Sequence, residues 1–158
     1  MARQSKPLVL ITGSNGNIGK ALGKSLSSDY HVLGLDRDAP ADLVADLTSD
    51  ESMAEAFNQL RRKHGKKIAA VIHLAAYFDF SGDKSPLYDE VNVRGSERLL
   101  NALRDFDVER FVYSGTMLVH QPCSPGESIN ELTPLKPAWA YPQSKADTEA
   151  KIREQRGK

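Results

Sequence analysis

The stretch "LVLITGSNGNIGKAL" (Leu8 to Leu22) sets a run of apolar and β-favouring residues directly before three glycines spaced three apart, Gly13, Gly16 and Gly19. A turn that only reverses the chain needs one or two glycines. Three at this spacing, where a strand must become a helix, leave backbone bare for something large and anionic. "PLVLIT" is apolar on every side, as a strand covered on both faces is. From Ile18, the residues Ile18, Ala21, Leu22 and Leu26 recur at helical spacing. In such a unit Gly13 permits the tight turn, Gly16 lets a pyrophosphate approach without a Cβ in the way, and Gly19 lets the helix pack close to the strand. Backbone N–H groups around Asn15, Asn17 and Ile18, at the positive end of the helix dipole, then meet the phosphates. A purely structural turn is the plainer alternative. A mononucleotide loop is excluded, because Lys20 follows Gly19 at the wrong spacing and no glycine–lysine–serine run exists.

The rest of the chain alternates in the same manner. "YHVLGLD" reads as a second strand ending in Asp36, and a short strand falls at Leu43 and Val44. A helix follows, capped by Thr48 or Ser49, with Gly65 behind it. "IAAVIHLAA" (68–76) is a buried strand, and "SPLYDEVNVRGSERLLNALRDFD" a long helix capped by Ser85 with Pro86 in its first turn. "VERFVYSGT" (108–116) is a further strand. After a loop rich in Pro, Ser and Gly comes a last helix starting near Tyr141, "YPQSKADTEAKIREQRGK". Strands alternating with helices predict an α/β fold, a doubly wound parallel sheet with helices on both faces, and 158 residues fit one domain.

Composition removes several functions. Lys plus Arg equals Asp plus Glu at 21 each, so no net field draws nucleic acid or an anionic membrane. No apolar run approaches the length of a membrane span. The single cysteine, Cys123, excludes an internal disulfide, and its loop setting makes it a bystander; a cytoplasmic protein is the expectation. His31, His64, His73 and His120 share no ligand-like spacing, so no metal site is expected. His73, in an apolar strand, reads as a core histidine rather than a catalyst.

Asp36 ends the second strand, where a carboxylate can accept hydrogen bonds from adenosine ribose hydroxyls. A 2′-phosphate there would meet like charge, which favours NAD over NADP. Arg37 beside it is either a phosphate partner or a solvated charge. Tyr141 and Lys145 in "YPQSK" lie four apart on one helix face. Such a pair alone is usually an amphipathic surface pair. Here it follows a strand ending in "SGT".

With these motifs the chain resembles the extended short-chain dehydrogenase/reductases, the NAD-dependent epimerase/dehydratase branch, over essentially its whole length. "TGSNGNIG" is similar to that branch's TGxxGxxG, "HLAA" to HxAA, "NVRG" to NVxG, "FVYSGT" to a strand ending in Ser-Ser-Ser/Thr, and "YPQSKADTE" to YxxSKxxxE. The resemblance implies a Rossmann-type NAD(P)-binding domain and hydride transfer at a secondary alcohol or ketone. Tyr141 would be the general acid or base, acidified by Lys145 together with the oxidised nicotinamide ring, and Lys145 would also hold the nicotinamide ribose. Thr116 would hold the substrate oxygen, and Asn92 would order backbone and a water near Lys145. Asp46 and Leu47 would flank the adenine, Leu74, Ala75 and Ala76 would line the cofactor trough, and Ser114 would neighbour the nicotinamide. The implied substrate is a small molecule: a sugar nucleotide, a steroid-like molecule or another secondary alcohol. Relatives commonly pair through the helices from Ser85 and Tyr141, so the resemblance extends to a homodimer.

The chain departs from the pattern at three places. Gly115 stands where serine is usual, which loosens but does not abolish that corner; "MLVH" (117–120) replaces a segment ending in Val-Tyr-Gly, which weakens a sugar-nucleotide reading. The chain also stops inside the Tyr–Lys helix, where relatives continue into a substrate domain. The expectation is a fragment of a longer enzyme, or a chain whose open sheet edge at "RFVYS" a partner covers. A non-catalytic module that senses NAD(P) through a partner is the rival reading. "YFDFSGD" (77–83) is richer in aromatics than a connecting loop needs, and reads equally as a substrate-pocket wall or a lid over the strand ends.

Overall fold

The computed structural model describes residues 6–79 and 81–155. The chain divides into two compact units, one of Met1–Ala75 with Arg98–Ser114 and one of Ala76–Glu97 with Gly115–Lys158. Strands β1 (Leu8–Thr12), β2 (His31–Asp36), β3 (Leu43–Val44), β4 (Lys67–Ile68), β5 (Ala70–His73), β6 (Asp107–Val108) and β7 (Phe111–Tyr113) all fall in the first unit. Five of them form one parallel sheet in the order β3-β2-β1-β5-β7, a Rossmann-like arrangement. The order reverses between β1 and β5, and the glycine turn leaves β1 there.

Register explains which side chains make the core. Leu33, Leu10, Val71 and Phe111 stand side by side across four strands and so share one face. Helix α2 (Asp50–His64) sets Met53, Ala56, Phe57 and Leu60 into the same core cluster, and α3 (Gly95–Leu103) adds Leu99 and Leu103. Ser49 rather than Thr48 caps α2, accepting from the Ser52 N–H; Gly65, at φ 80°, closes it. Every residue of β1 is buried, as its apolar run requires.

Cover on the opposite face is only partial. Helix α1 (Asn17–Leu26) buries only Gly19, and Ile18 stays largely exposed. Over β5 and β7 this face opens as a groove of about 1270 Å³ that includes Leu26, Tyr30, Ala70, Ile72 and Val112, with Val112 42% exposed. Strand β7 is the outermost of the sheet among the described residues.

Two expected strands are each split. The run 68–76 changes partner at Ala69, whose N–H donates to the Leu8 carbonyl at 2.8 Å; β4 pairs instead with β6 in a separate two-stranded ladder. The run 108–116 loses Val108 to that ladder, where it joins Asp107, and only Phe111–Tyr113 joins the main sheet.

The second unit holds no strand of the main sheet. The expected long helix from Ser85 is wound as a π-helix over Tyr88–Arg94, where the Gly95 N–H reaches the Glu90 carbonyl five residues back, and becomes α3 only from Gly95. A 3₁₀ turn covers Met117–Val119. The loop behind it is irregular, pinned by one antiparallel bridge between His120 and Leu135. Helix α4 (Ala140–Glu154) starts one residue before Tyr141 and packs on both the π segment and the 3₁₀ turn. The expected end of that helix, 156–158, lies outside the described residues, as does Phe80 of the aromatic loop.

Candidate functional site

The glycine turn in the first unit is built from close approaches that a side chain would block. Gly13 has φ 71°, and a Cβ on it would stand 2.8 Å from the Ala75 nitrogen. A Cβ on Gly19 would lie 2.7 Å from Ser14 Cα, so this glycine lets α1 pack against the turn itself. Gly16 differs: its one close neighbour would be the Gly13 oxygen at 3.3 Å, and it is exposed together with Asn17 and Ile18. The turn is tied to β2 by the Gly13 N–H donating to the Leu35 carbonyl at 2.9 Å. Such a cradle, with bare backbone at the start of a helix, fits a diphosphate.

The acidic residues lie in the same unit. Asp36 Oδ2 accepts from the Asn15 N–H at 2.8 Å, which joins the glycine turn to the end of β2. Arg37 is exposed and pairs with Asp38 at 3.2 Å, the solvated-charge alternative. Asp46 accepts from both the Thr48 N–H and hydroxyl at 2.8 Å, and these bonds hold its carboxyl below the usual range. Leu47 belongs to the core cluster, and its carbonyl accepts from Arg98 at 3.4 Å. Leu74 and Ala75 are half-buried where β5 ends, and the Ala75 N–H donates to Thr12 Oγ1 at 3.2 Å. The same hydroxyl lies 2.6 Å from His73 Nδ1, and the buried His73 ring packs near Phe111 and Tyr113. The Ser114 N–H donates to the His73 carbonyl at 3.2 Å, so Ser114 continues from β7 at the carboxyl end of the sheet.

The second unit brings Asn92, Tyr141 and Lys145 into one hydrogen-bonded body. Asn92 is buried in the π segment; its Oδ1 accepts from the Tyr77 N–H at 2.6 Å, and its Nδ2 donates to the Tyr77 carbonyl at 3.1 Å. The same Nδ2 donates to Ser144 Oγ at 2.9 Å, and that hydroxyl donates to the Tyr141 carbonyl at 2.7 Å. Thr148, fully buried, presents its hydroxyl to the Asn92 carbonyl at 2.9 Å and the Ser144 carbonyl at 2.8 Å. Ser144 and Thr148 are residues that sequence reasoning missed: both are polar positions on a helix that shows no apolar stripe. Ala76, by contrast, is exposed.

Lys145 is 3% exposed, and burial pulls its ammonium down to about 8, with the Glu149 carboxylate opposing. Burial pushes the half-buried Tyr141 phenol up, and the Tyr88 phenol pushes it the same way. Thr116 Oγ1 accepts from the Leu118 N–H at 3.3 Å as cap of the 3₁₀ turn, which leaves its own proton to donate. Among the described residues no three His, Cys, Asp or Glu side chains group to hold a metal ion, and no helix is long and apolar enough to cross a membrane.

The profile of the NAD dependent epimerase/dehydratase family matches residues 9–157. The chain belongs to this family. It is similar to the L-arabinose 1-dehydrogenase (NAD(P)(+)) of Haloferax volcanii, 29% identical over 116 residues that cover 72% of this chain and 42% of that protein. The fold resembles that of the UDP-glucose 4-epimerase of Thermus thermophilus in complex with NAD, with TM-score 0.78 and 29% identity over 93% of this chain and 50% of that one. It also resembles dTDP-4-dehydrorhamnose reductase from Bacillus anthracis in complex with NADP, with TM-score 0.77 and 26% identity over 98% of this chain and 51% of that one. The chain spans about half the length of these relatives.

Proposed function

We propose that this chain carries the dinucleotide-binding and acid–base parts of an NAD-dependent dehydrogenase, epimerase or dehydratase acting at a secondary alcohol or ketone. The observation that supports this most is the Asn92–Ser144–Tyr141 chain of hydrogen bonds. It fixes the turn of α4 that carries Tyr141 and Lys145 to a buried asparagine, a rigid mount for side chains that must meet a reacting oxygen.

In this reading the turn at Gly13, Gly16 and Gly19 holds the diphosphate, and Asp36 takes the adenosine ribose hydroxyls. Asp36, with Arg37 turned to Asp38, favours NAD over NADP, because a 2′-phosphate would face a carboxylate. The bound nicotinamide supplies the hydride acceptor. Tyr141 Oη takes the hydroxyl proton as the carbinol becomes a carbonyl, and returns it in the reverse direction. Lys145 remains largely protonated at neutral pH even at about 8, and so supplies positive charge one helical turn from the phenol. Thr116 donates its hydroxyl proton to the substrate oxygen. A cytoplasmic setting, and pairing of two copies through the π segment and α4, belong to the same reading.

Two measurements test it. In titration calorimetry of the purified protein, NAD binds more tightly than NADP and Asp36→Ala narrows the gap; absence of NAD binding overturns the reading. In rate measurements, Tyr141→Phe keeps NAD affinity within about twofold while alcohol oxidation falls about 10²–10⁴-fold. Undiminished turnover in that variant refutes the role of Tyr141.

A further inference from the structure

Arg98 lies in the first turn of α3, within the first unit, and its side chain is only 22% exposed. Its Nε donates to Asp50 Oδ1 at 2.8 Å and its Nη1 to the Leu47 carbonyl at 3.4 Å. One planar guanidinium thus holds the turn between β3 and α2 at two points. The ion pair alone is a poor reason for this arrangement. Asp50 is 86% exposed, and a pair with so wet a partner contributes little to stability.

The second contact reaches further than the first. The Leu47 carbonyl belongs to the peptide group that also carries the Thr48 N–H, and this trans peptide points the two in opposite directions. That N–H donates to Asp46 Oδ1 at 2.8 Å, and the Thr48 hydroxyl donates to the same oxygen at 2.8 Å. Arg98 and Asp46 therefore stand at the two ends of one polarised peptide, the guanidinium at its oxygen and the carboxylate at its hydrogen. The Asp46 N–H donates to Ser52 Oγ at 3.0 Å, which pins the backbone under the carboxylate. Both Thr48 bonds end on Oδ1, so no described residue donates to Oδ2. The Thr48 bonds, with Arg37 and Arg98 adding to them, hold the carboxyl below its usual range; at neutral pH Oδ2 can only accept.

Resting on the reading of this unit as a dinucleotide site with Asp46 beside the adenine, we propose that Arg98 is a positioning residue. It sets the orientation of the Asp46 carboxylate through the Leu47–Thr48 peptide, and so makes the site select a 6-aminopurine. The adenine amino group donates to Asp46 Oδ2. A 6-oxopurine brings an oxygen to the same place, where it faces a carboxylate with no proton to share. Without the guanidinium the peptide loses its anchor, Asp46 turns with it, and the distinction between the two bases fades.

The test needs no turnover. NAD and nicotinamide hypoxanthine dinucleotide, which carry an amino and an oxo group at purine position 6, are each titrated calorimetrically into the purified wild type and its variants. The wild type should bind NAD about tenfold more tightly. In Arg98→Met that preference should shrink to within about threefold, whereas Arg98→Lys, which keeps a cation for the Leu47 carbonyl, should retain most of it. Asp50→Asn is an exposed change that weakens the other anchor of the guanidinium without touching α3, and it should narrow the preference partway. Equal losses for both dinucleotides in Arg98→Met, with the preference intact, would make Arg98 a structural contact only and overturn the proposal. A wild type that binds NAD but does not discriminate overturns this inference and leaves the cofactor assignment standing. Binding of neither dinucleotide overturns the reading on which it rests.

Discussion

Replacing Lys145 with methionine tests the electrostatics of the second unit directly. The side chain is almost fully buried, and its folded pKa of about 8 lies below the ordinary 10.5. Between these values the unfolded chain binds more protons than the folded one, so this group makes stability rise with pH through that window. At pH 7 both states are mostly protonated, and the folded protein bears a desolvation cost of about 3 kcal/mol. By pH 9.5 roughly 2 kcal/mol of that cost is relieved. Below pH 10 the raised Tyr141 phenol stays protonated and adds little. The assay is urea unfolding of both proteins at intervals from pH 7 to 9.5. Relative to Lys145→Met, the wild-type midpoint should climb by about 1 M over that range. Lys145→Met should be the more stable protein at pH 7, because it keeps the aliphatic volume without the charge. Parallel midpoint curves for the two proteins would refute the reasoning, since they would mean the ammonium is as well solvated folded as unfolded.

Gly13→Ala combines a left-handed φ with a Cβ 2.8 Å from the Ala75 nitrogen and should cost about 3 kcal/mol. Gly65→Ala has a similar φ and open space around it, and should cost about 1 kcal/mol; thermal melts of the two separate clash from strain. Asn92→Ala strands the Tyr77 N–H and carbonyl and removes the Ser144 bond, so it should destabilise by about 2–4 kcal/mol in denaturant titration.

The sheet and its glycine turn were legible because their signals are local: an apolar run, a spaced triplet of glycines, a carboxylate one strand later. The mount of the candidate acid–base pair was not legible in that way. On α4 the buried positions are Pro142, Ser144, Lys145 and Thr148, a polar set that no hydrophobic periodicity marks. Its partner Asn92 sits in a segment whose sequence reads as ordinary helix, and its side chain bonds to Tyr77 and Ser144, which no local pattern points to. The split of the runs at 68–76 and 108–116 is likewise a competition between two ladders, decided by tertiary pairing rather than by residue type.

The π winding of Tyr88–Arg94 also says something about how this chain tolerates change. A π turn accommodates one residue more than an α turn would, so the segment is equivalent to a helix with a single insertion. Deleting one residue there would let the backbone relax into the commoner spiral, and Asn92 would swing about 100° around the axis. The helix itself would survive such a loss, and its hold on the neighbouring helix would not. This makes the segment a place where chain length, more than side-chain chemistry, keeps two helices in step.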